Sequence, residues 1–160
     1  MIDDPLFYLK AFADAGADLI TFHTECGCDI SRCIDAVKAY GCRVGLSVKP
    51  GTKIDVLLPY LEKIDHALIM TVEPGFGGQK LIPACLEKVS RLSGEIRRSG
   101  YAVDISVDGG IDLKTVADAA RAGANVLVAG SAVFRAENPK QAVCALRSLA
   151  LAAQQEGADL

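Results

Sequence analysis

Ala67-Leu68-Ile69-Met70-Thr71-Val72 runs directly into Glu73-Pro74-Gly75-Phe76-Gly77-Gly78-Gln79, and the reading of this junction decides the fold. The first half is a strand-length apolar run without polar alternation, the pattern of a strand covered by helices. The second half holds three glycines and a proline, which punctuate rather than continue a regular element. Beyond it, Leu81 to Ser99 carries Leu86, Val89, Leu92 and Ile96 at helical spacing. Strand, glycine-rich turn and helix in that order make one βα unit.

Outward in both directions the same punctuation repeats. Leu19-Ile20-Thr21-Phe22-His23 and Val44-Gly45-Leu46-Ser47-Val48 precede the junction, and Ile105-Ser106-Val107-Asp108 and Val126-Leu127-Val128-Ala129 follow it. Helical patterns separate them: Pro5 to Ala15 behind Asp4, Ile30 to Tyr40 behind Asp29, a shorter stretch from Ile54 to Glu62, Leu113 to Ala122 behind Asp112, and Pro139 to about Gln154 behind Asn138. The order is a helix and then about five βα units, which requires a parallel sheet because parallel strands need a crossover. An open doubly wound sheet and a closed barrel both fit this alternation. The barrel is favoured because candidate functional residues follow several successive strands, at what must be one end of the sheet.

The chain has 160 residues, 51% apolar and 23% charged, enough for one domain with a core over residues 1–160. A net charge of −3 argues against a sequence-independent nucleic-acid binder, which needs a basic face. No run approaches the ~18 consecutive apolar residues of a membrane span, and Met1-Ile2-Asp3-Asp4-Pro5 lacks the basic start of a secretory signal. A cytoplasmic location is expected. Of six cysteines, Cys33, Cys42, Cys85 and Cys144 fall singly in apolar stretches and read as small hydrophobes. Cys26 and Cys28 form a C-x-C without the second pair or the histidines of a zinc site.

Three glycine-rich turns follow the last three strands: Gly75-Phe76-Gly77-Gly78, Gly109-Gly110 and Gly130-Ser131. A phosphate needs several backbone N–H groups aimed at it, and glycine permits close approach and positive φ. Any one turn can be a plain tight loop, but three on adjacent strands form a coherent phosphate cup. Asp108 ends its strand before two glycines, so its carboxylate is either a turn cap or an acid–base group at the sheet mouth. Asp65 and Asp104 precede their strands and read as solvated turn residues at the opposite end, where His66 also falls. His23 with Glu25 either touches a ligand or is packed and hydrogen-bonded. Met70 is either core or a polarizable, non-ionisable wall beside a reaction centre. Lys49, in Lys49-Pro50-Gly51-Thr52, reads as a loop charge.

Taken together, Ala15-Gly16-Ala17-Asp18, Phe22-His23-Thr24-Glu25, Lys49-Pro50-Gly51-Thr52, the 70–79 junction, Val107-Asp108-Gly109-Gly110 and Ala129-Gly130-Ser131-Ala132-Val133-Phe134 resemble the ribulose-phosphate 3-epimerase family. The resemblance implies a TIM (β/α)8 barrel that interconverts D-ribulose 5-phosphate and D-xylulose 5-phosphate. It further implies that two aspartates on opposite faces of the sugar shuttle the C3 proton while a divalent metal (zinc, iron, manganese or cobalt) stabilises the enediolate. By this resemblance Asp108 is one catalytic aspartate and a metal ligand. Gly75, Phe76, Gly77, Gly78, Gly109, Gly110, Gly130 and Ser131 bind substrate and phosphate. Met70 covers the enediolate face, and Met1 matches a further methionine.

The family pattern also has three earlier strands carrying the other aspartate and the remaining metal ligands. The expectation is therefore an incomplete barrel of about five βα units, inactive alone, whose open edges could pair with a second copy. The other readings are a non-catalytic phosphosugar-binding or assembly piece, and an epimerase for allulose 6-phosphate.

Overall fold

The computed structural model describes residues 2–158, so Met1 lies outside them. Five strands form one parallel sheet in the order β1-β2-β3-β4-β5: β1 Leu19–His23, β2 Arg43–Val48, β3 His66–Met70, β4 Asp104–Asp108 and β5 Val126–Val128. The crossovers are α2 Ile30–Ala39, α3 Ala84–Ser99 and α4 Val116–Arg121. Helix α1 Pro5–Asp14 precedes the sheet, and α5 Ser131–Phe134 and α6 Pro139–Ala158 follow it. Among the described residues β1 and β5 each have a strand neighbour on one side only.

Alternation along the strands separates two faces. Val44, Leu46, Val48, Ala67, Ile69 and Val107 are wholly buried against Ile34 and Val37 of α2, Val89 and Leu92 of α3 and Val116 of α4. Burying each of these valine, leucine and isoleucine side chains contributes about 1.5–3 kcal/mol, so this layer holds the helices on the sheet. The register sets the opposite face in rows. Thr21, Gly45, His66 and Asp104 form the lowest, and His23, Ser47, Leu68, Ser106 and Val126 the next. Met70, Asp108 and Val128 form the top row, at the C-terminal ends of their strands. In the lowest row Thr21 Oγ1 meets His66 Nδ1 at 3.2 Å. A side chain at Gly45 would strike both groups, so glycine is required there.

Helix starts follow the expected caps: the carboxylates of Asp4 and Asp29 accept from the Phe7 and Arg32 amides, and Asn138 Oδ1 accepts from the Gln141 amide at 3.1 Å. The 54–62 stretch departs from expectation, forming two 3-10 turns, Ile54–Val56 and Leu58–Lys63. Pro59 explains this, since an α-helix through it would lose a hydrogen bond and clash with the carbonyl one turn back. Helix α3 likewise begins at Ala84, behind Pro83, and α4 begins at Val116, after a turn in which Asp112 Oδ1 accepts from the Lys114 amide at 2.8 Å.

Two further expectations are corrected. Asp65 is not merely solvated: its Oδ2 accepts the Val44 amide of β2 at 2.8 Å. Asn125 performs the same task for β4, accepting the Ile105 amide at 2.7 Å while donating to Asp104 at 2.7 Å. Strand amides near the floor of the sheet need acceptors, and these side chains supply them. Cys33, Cys42 and Cys85 are buried, but Cys144 is exposed. Helix α6 packs through the stripe Leu146, Ala150 and Ala153, and Cys144 lies off it. No helix among the described residues is long and apolar enough to cross a membrane.

Candidate active site

Met70, Asp108 and Val128 end three adjacent strands in one row, so the turns that follow begin side by side. Thr71, wholly buried, stitches two of them together: its amide donates to the Asp108 carbonyl at 2.9 Å and its hydroxyl to the Gly109 carbonyl at 2.6 Å. The Ile82 amide returns to the Thr71 carbonyl at 2.8 Å, closing the base of the long 71–82 connection. Within that connection Gln79 Nε2 donates to the Glu73 carbonyl at 2.6 Å and the Phe76 carbonyl at 2.9 Å. One amide side chain therefore folds the glycine-rich stretch into a defined turn.

Gly110 shows why small residues are needed. Its φ of +66° is left-handed, and a Cβ there would lie 2.7 Å from the Leu81 Cα. The double glycine thus lets two loops pass in contact. Gly130 differs, since nothing in the protein lies within reach of a Cβ there, and the space beside it is open. It caps α5, whose first N–H groups have no intrahelical acceptor.

These turns enclose a cavity of about 320 Å³ lined by Met70, Gly75, Phe76, Gly77, Gly78, Asp108, Gly109, Gly110, Gly130 and Ser131, together with Val72, Glu73 and Gln79. Every described residue that the resemblance assigned to catalysis, substrate or phosphate borders this one space. The volume falls within the ~300–1,000 Å³ of small-molecule sites. Phe76 stands at the rim, 72% exposed. Burial raises the Asp108 carboxyl above its ordinary value. Such a shift moves a carboxyl toward the range in which it can take up and return a proton.

Other candidates lie elsewhere. His23 Nδ1 pairs with Glu25 Oε2 at 3.1 Å, and Glu25 Oε1 accepts the Lys49 amide at 2.8 Å and the Thr52 hydroxyl. The pair anchors the 49–52 loop and does not border the Asp108 cavity. Lys49 contributes backbone here, through its amide. His66 sits two rows below Met70, on the floor. Cys33, read from the sequence as a lone small hydrophobe, joins Cys26 and Cys28: their three sulfurs lie within 4.8 Å of one another. A C-x-C followed five residues later by a cysteine in a helix was the available signal.

Among known proteins, the model of the ribulose-phosphate 3 epimerase family matches residues 1–134. The ribulose-phosphate 3-epimerase of Schizosaccharomyces pombe is 44% identical over 155 residues, covering 97% of this chain and 66% of its own length. The cytoplasmic isoform of ribulose-phosphate 3-epimerase from Oryza sativa is 43% identical, over 92% of this chain and 64% of that protein. This chain thus spans somewhat less than two thirds of the length of both. Among solved structures, 3-hexulose-6-phosphate synthase from Salmonella typhimurium superposes with a TM-score of 0.67 at 25% identity, over 95% of this chain and 71% of that one. The fold is α/β of the TIM-barrel type.

Proposed function

Because this chain belongs to the ribulose-phosphate 3-epimerase family, we propose that its cavity holds a ketopentose 5-phosphate with C3 beside Asp108. D-ribulose 5-phosphate and D-xylulose 5-phosphate are then the epimeric pair. The reading rests on one observation: the Asp108 carboxylate and the three glycine-rich turns border the same space. Backbone N–H groups of these turns take the phosphate, because an anion is best held by several amides without a competing side chain. Asp108 removes or returns the C3 proton on one face of the sugar, aided by its raised affinity for a proton. Met70, adjacent in the register, presents a non-ionisable surface to the planar intermediate. The whole domain, residues 1–160, acts as one phosphosugar-binding unit, and as in the rice relative's name the setting is the cytoplasm.

Inversion at C3 needs an acid–base group on the opposite face as well. Among the described residues Glu73 is the only other carboxylate bordering the cavity, and it lies in the glycine-rich turn after β3. The second face is therefore supplied by residues outside this set. A divalent metal would stabilise the negative charge developing on the enediolate. Among the described residues no group of three possible ligands includes Asp108, so the donors here do not close such a site. Asp108 would be one ligand, and the proton-transfer role is assigned without the metal.

Calorimetry and proton NMR in deuterated water test this reading. The 160-residue chain is expected to bind D-ribulose 5-phosphate without epimerising it. Epimerisation is expected once the segments of the S. pombe relative that the match leaves uncovered are joined to it, and Asp108→Asn lowers it by about 10²–10⁴-fold. Failure to bind, or a joined protein whose turnover is unchanged by Asp108→Asn, overturns the assignment. A chelator is expected to leave phosphosugar affinity unchanged, because the phosphate is held by amides.

A further inference from the structure

We propose that Cys26, Cys28 and Cys33 form a three-thiolate site for a thiophilic d10 cation, with Zn²⁺ as the fitting ion, at the turn between β1 and α2. Tetrahedral zinc–thiolate bonds of about 2.3 Å place sulfurs about 3.8 Å apart. The three sulfurs already lie within 4.8 Å of one another, at most about 1 Å beyond that spacing.

The backbone of the turn is held independently of any ion. The Cys26 amide donates to the His23 carbonyl at 3.2 Å, the Gly27 amide to the Asp3 carbonyl at 3.3 Å and the Cys33 amide to the Asp29 carbonyl at 3.0 Å. Little further ordering is needed on binding, which favours affinity. The burial is graded. Cys33 is wholly enclosed, while Cys26 and Cys28 are half-buried and pack against the core. A cavity bordered by Asp4, Cys28, Asp29 and Arg32 opens beside them, giving an entry route and room for a fourth ligand. Asp4 Oδ1, 3.8 Å from the Cys28 sulfur, can fill that position, or water can.

Charge and softness decide which ion fits. Three thiolates around a divalent ion leave one net negative charge, at the N-terminal end of α2 where the helix dipole favours it. Soft sulfur ligands select zinc or cuprous ions and discriminate against magnesium and calcium. On binding, each ligating thiol gives its proton to solvent, and no electron changes hands. A disulfide would engage two of these sulfurs and leave the third unused. The site is separate from the Asp108 cavity, whose border includes none of the cysteines.

The test uses the whole reduced chain, stripped with a chelator and titrated with Zn²⁺ against a chromophoric competitor, then with Co²⁺. One Zn²⁺ per chain is expected, with a thiolate-to-cobalt charge-transfer band. Losing a partner that merely orients a ligand costs about 10–100-fold in affinity, so losing a ligand should cost ~100-fold or more. Cys28→Ser and Cys26→Ser are expected to show that loss and lose the band. Their half-buried positions keep the test independent of folding defects in Cys33→Ser. Cys144→Ser is expected to bind as the parent does, since Cys144 is exposed and outside the cluster. Absence of stoichiometric Zn²⁺, retention of full affinity in Cys28→Ser, or a mass two hydrogens lower without metal uptake overturns the proposal.

Discussion

Asp108 is placed where folding and chemistry oppose each other. Burial raises its carboxyl above the ordinary value of 3.8. A carboxyl raised in the folded state favours folding only where it is protonated, and that contribution is lost as pH rises through the folded value. Asp108→Asn should therefore melt higher than the parent at pH 7 by differential scanning calorimetry, with the gap closing below pH 3.8. In the joined enzyme the same change should lower turnover by about 10²–10⁴-fold, the usual contribution of a general acid or base. Gly110 makes the opposite trade. Alanine there strains a left-handed backbone and meets the Leu81 main chain, so Gly110→Ala should cost about 1–3 kcal/mol in urea melts and weaken phosphosugar binding.

Among the elements, the 49–52 loop is the clearest case of a connection held by its neighbours. Glu25 grips it from the end of β1 through the Lys49 amide and the Thr52 hydroxyl. From α3, Lys88 Nζ donates to the carbonyls of Pro50 and of Thr52, the latter at 2.7 Å. Burial pushes the Glu25 carboxyl up, but hydrogen bonds from Thr52, Lys49 and His23 outweigh it and hold it below the ordinary value of 4.5. A carboxyl lowered in this way contributes stability above its unfolded pKa and loses it as pH falls through the folded one. Glu25→Gln should cost about 1.5–3 kcal/mol at pH 7, the scale of a charged hydrogen bond. The difference should shrink on acidification below pH 4.5, as read by denaturant titration.

For the whole molecule, the governing fact is a five-stranded parallel sheet whose edge strands each pair on one side among the described residues. Val126 and Val128 of β5 are 37% and 42% exposed, and Phe7 and Phe12 of α1 are 76% and 55% exposed. Unpaired strand edges with apolar side chains invite association with another chain. Sedimentation velocity should show concentration-dependent self-association of the 160-residue chain, and Val126→Lys should reduce it by placing a charge on the edge. A monomer at all concentrations would mean that α5 and α6 shield that edge.

The alternation of apolar runs with amphipathic stretches, the caps at Asp4, Asp29 and Asn138, and the glycine turns behind three strands were all legible in the chain. Each depends on the conformational preferences of a few neighbouring residues. Only the tertiary structure decided the rest, because it turns on which distant groups meet. Register put Met70 beside Asp108, a backbone approach demanded glycine at position 110, and Asp65 became the acceptor for Val44 across 21 residues of chain. The helix at α2 brought the Cys33 sulfur to those of Cys26 and Cys28. Sequence spacing records what precedes what, whereas a site is made by the close packing of groups that sequence holds apart.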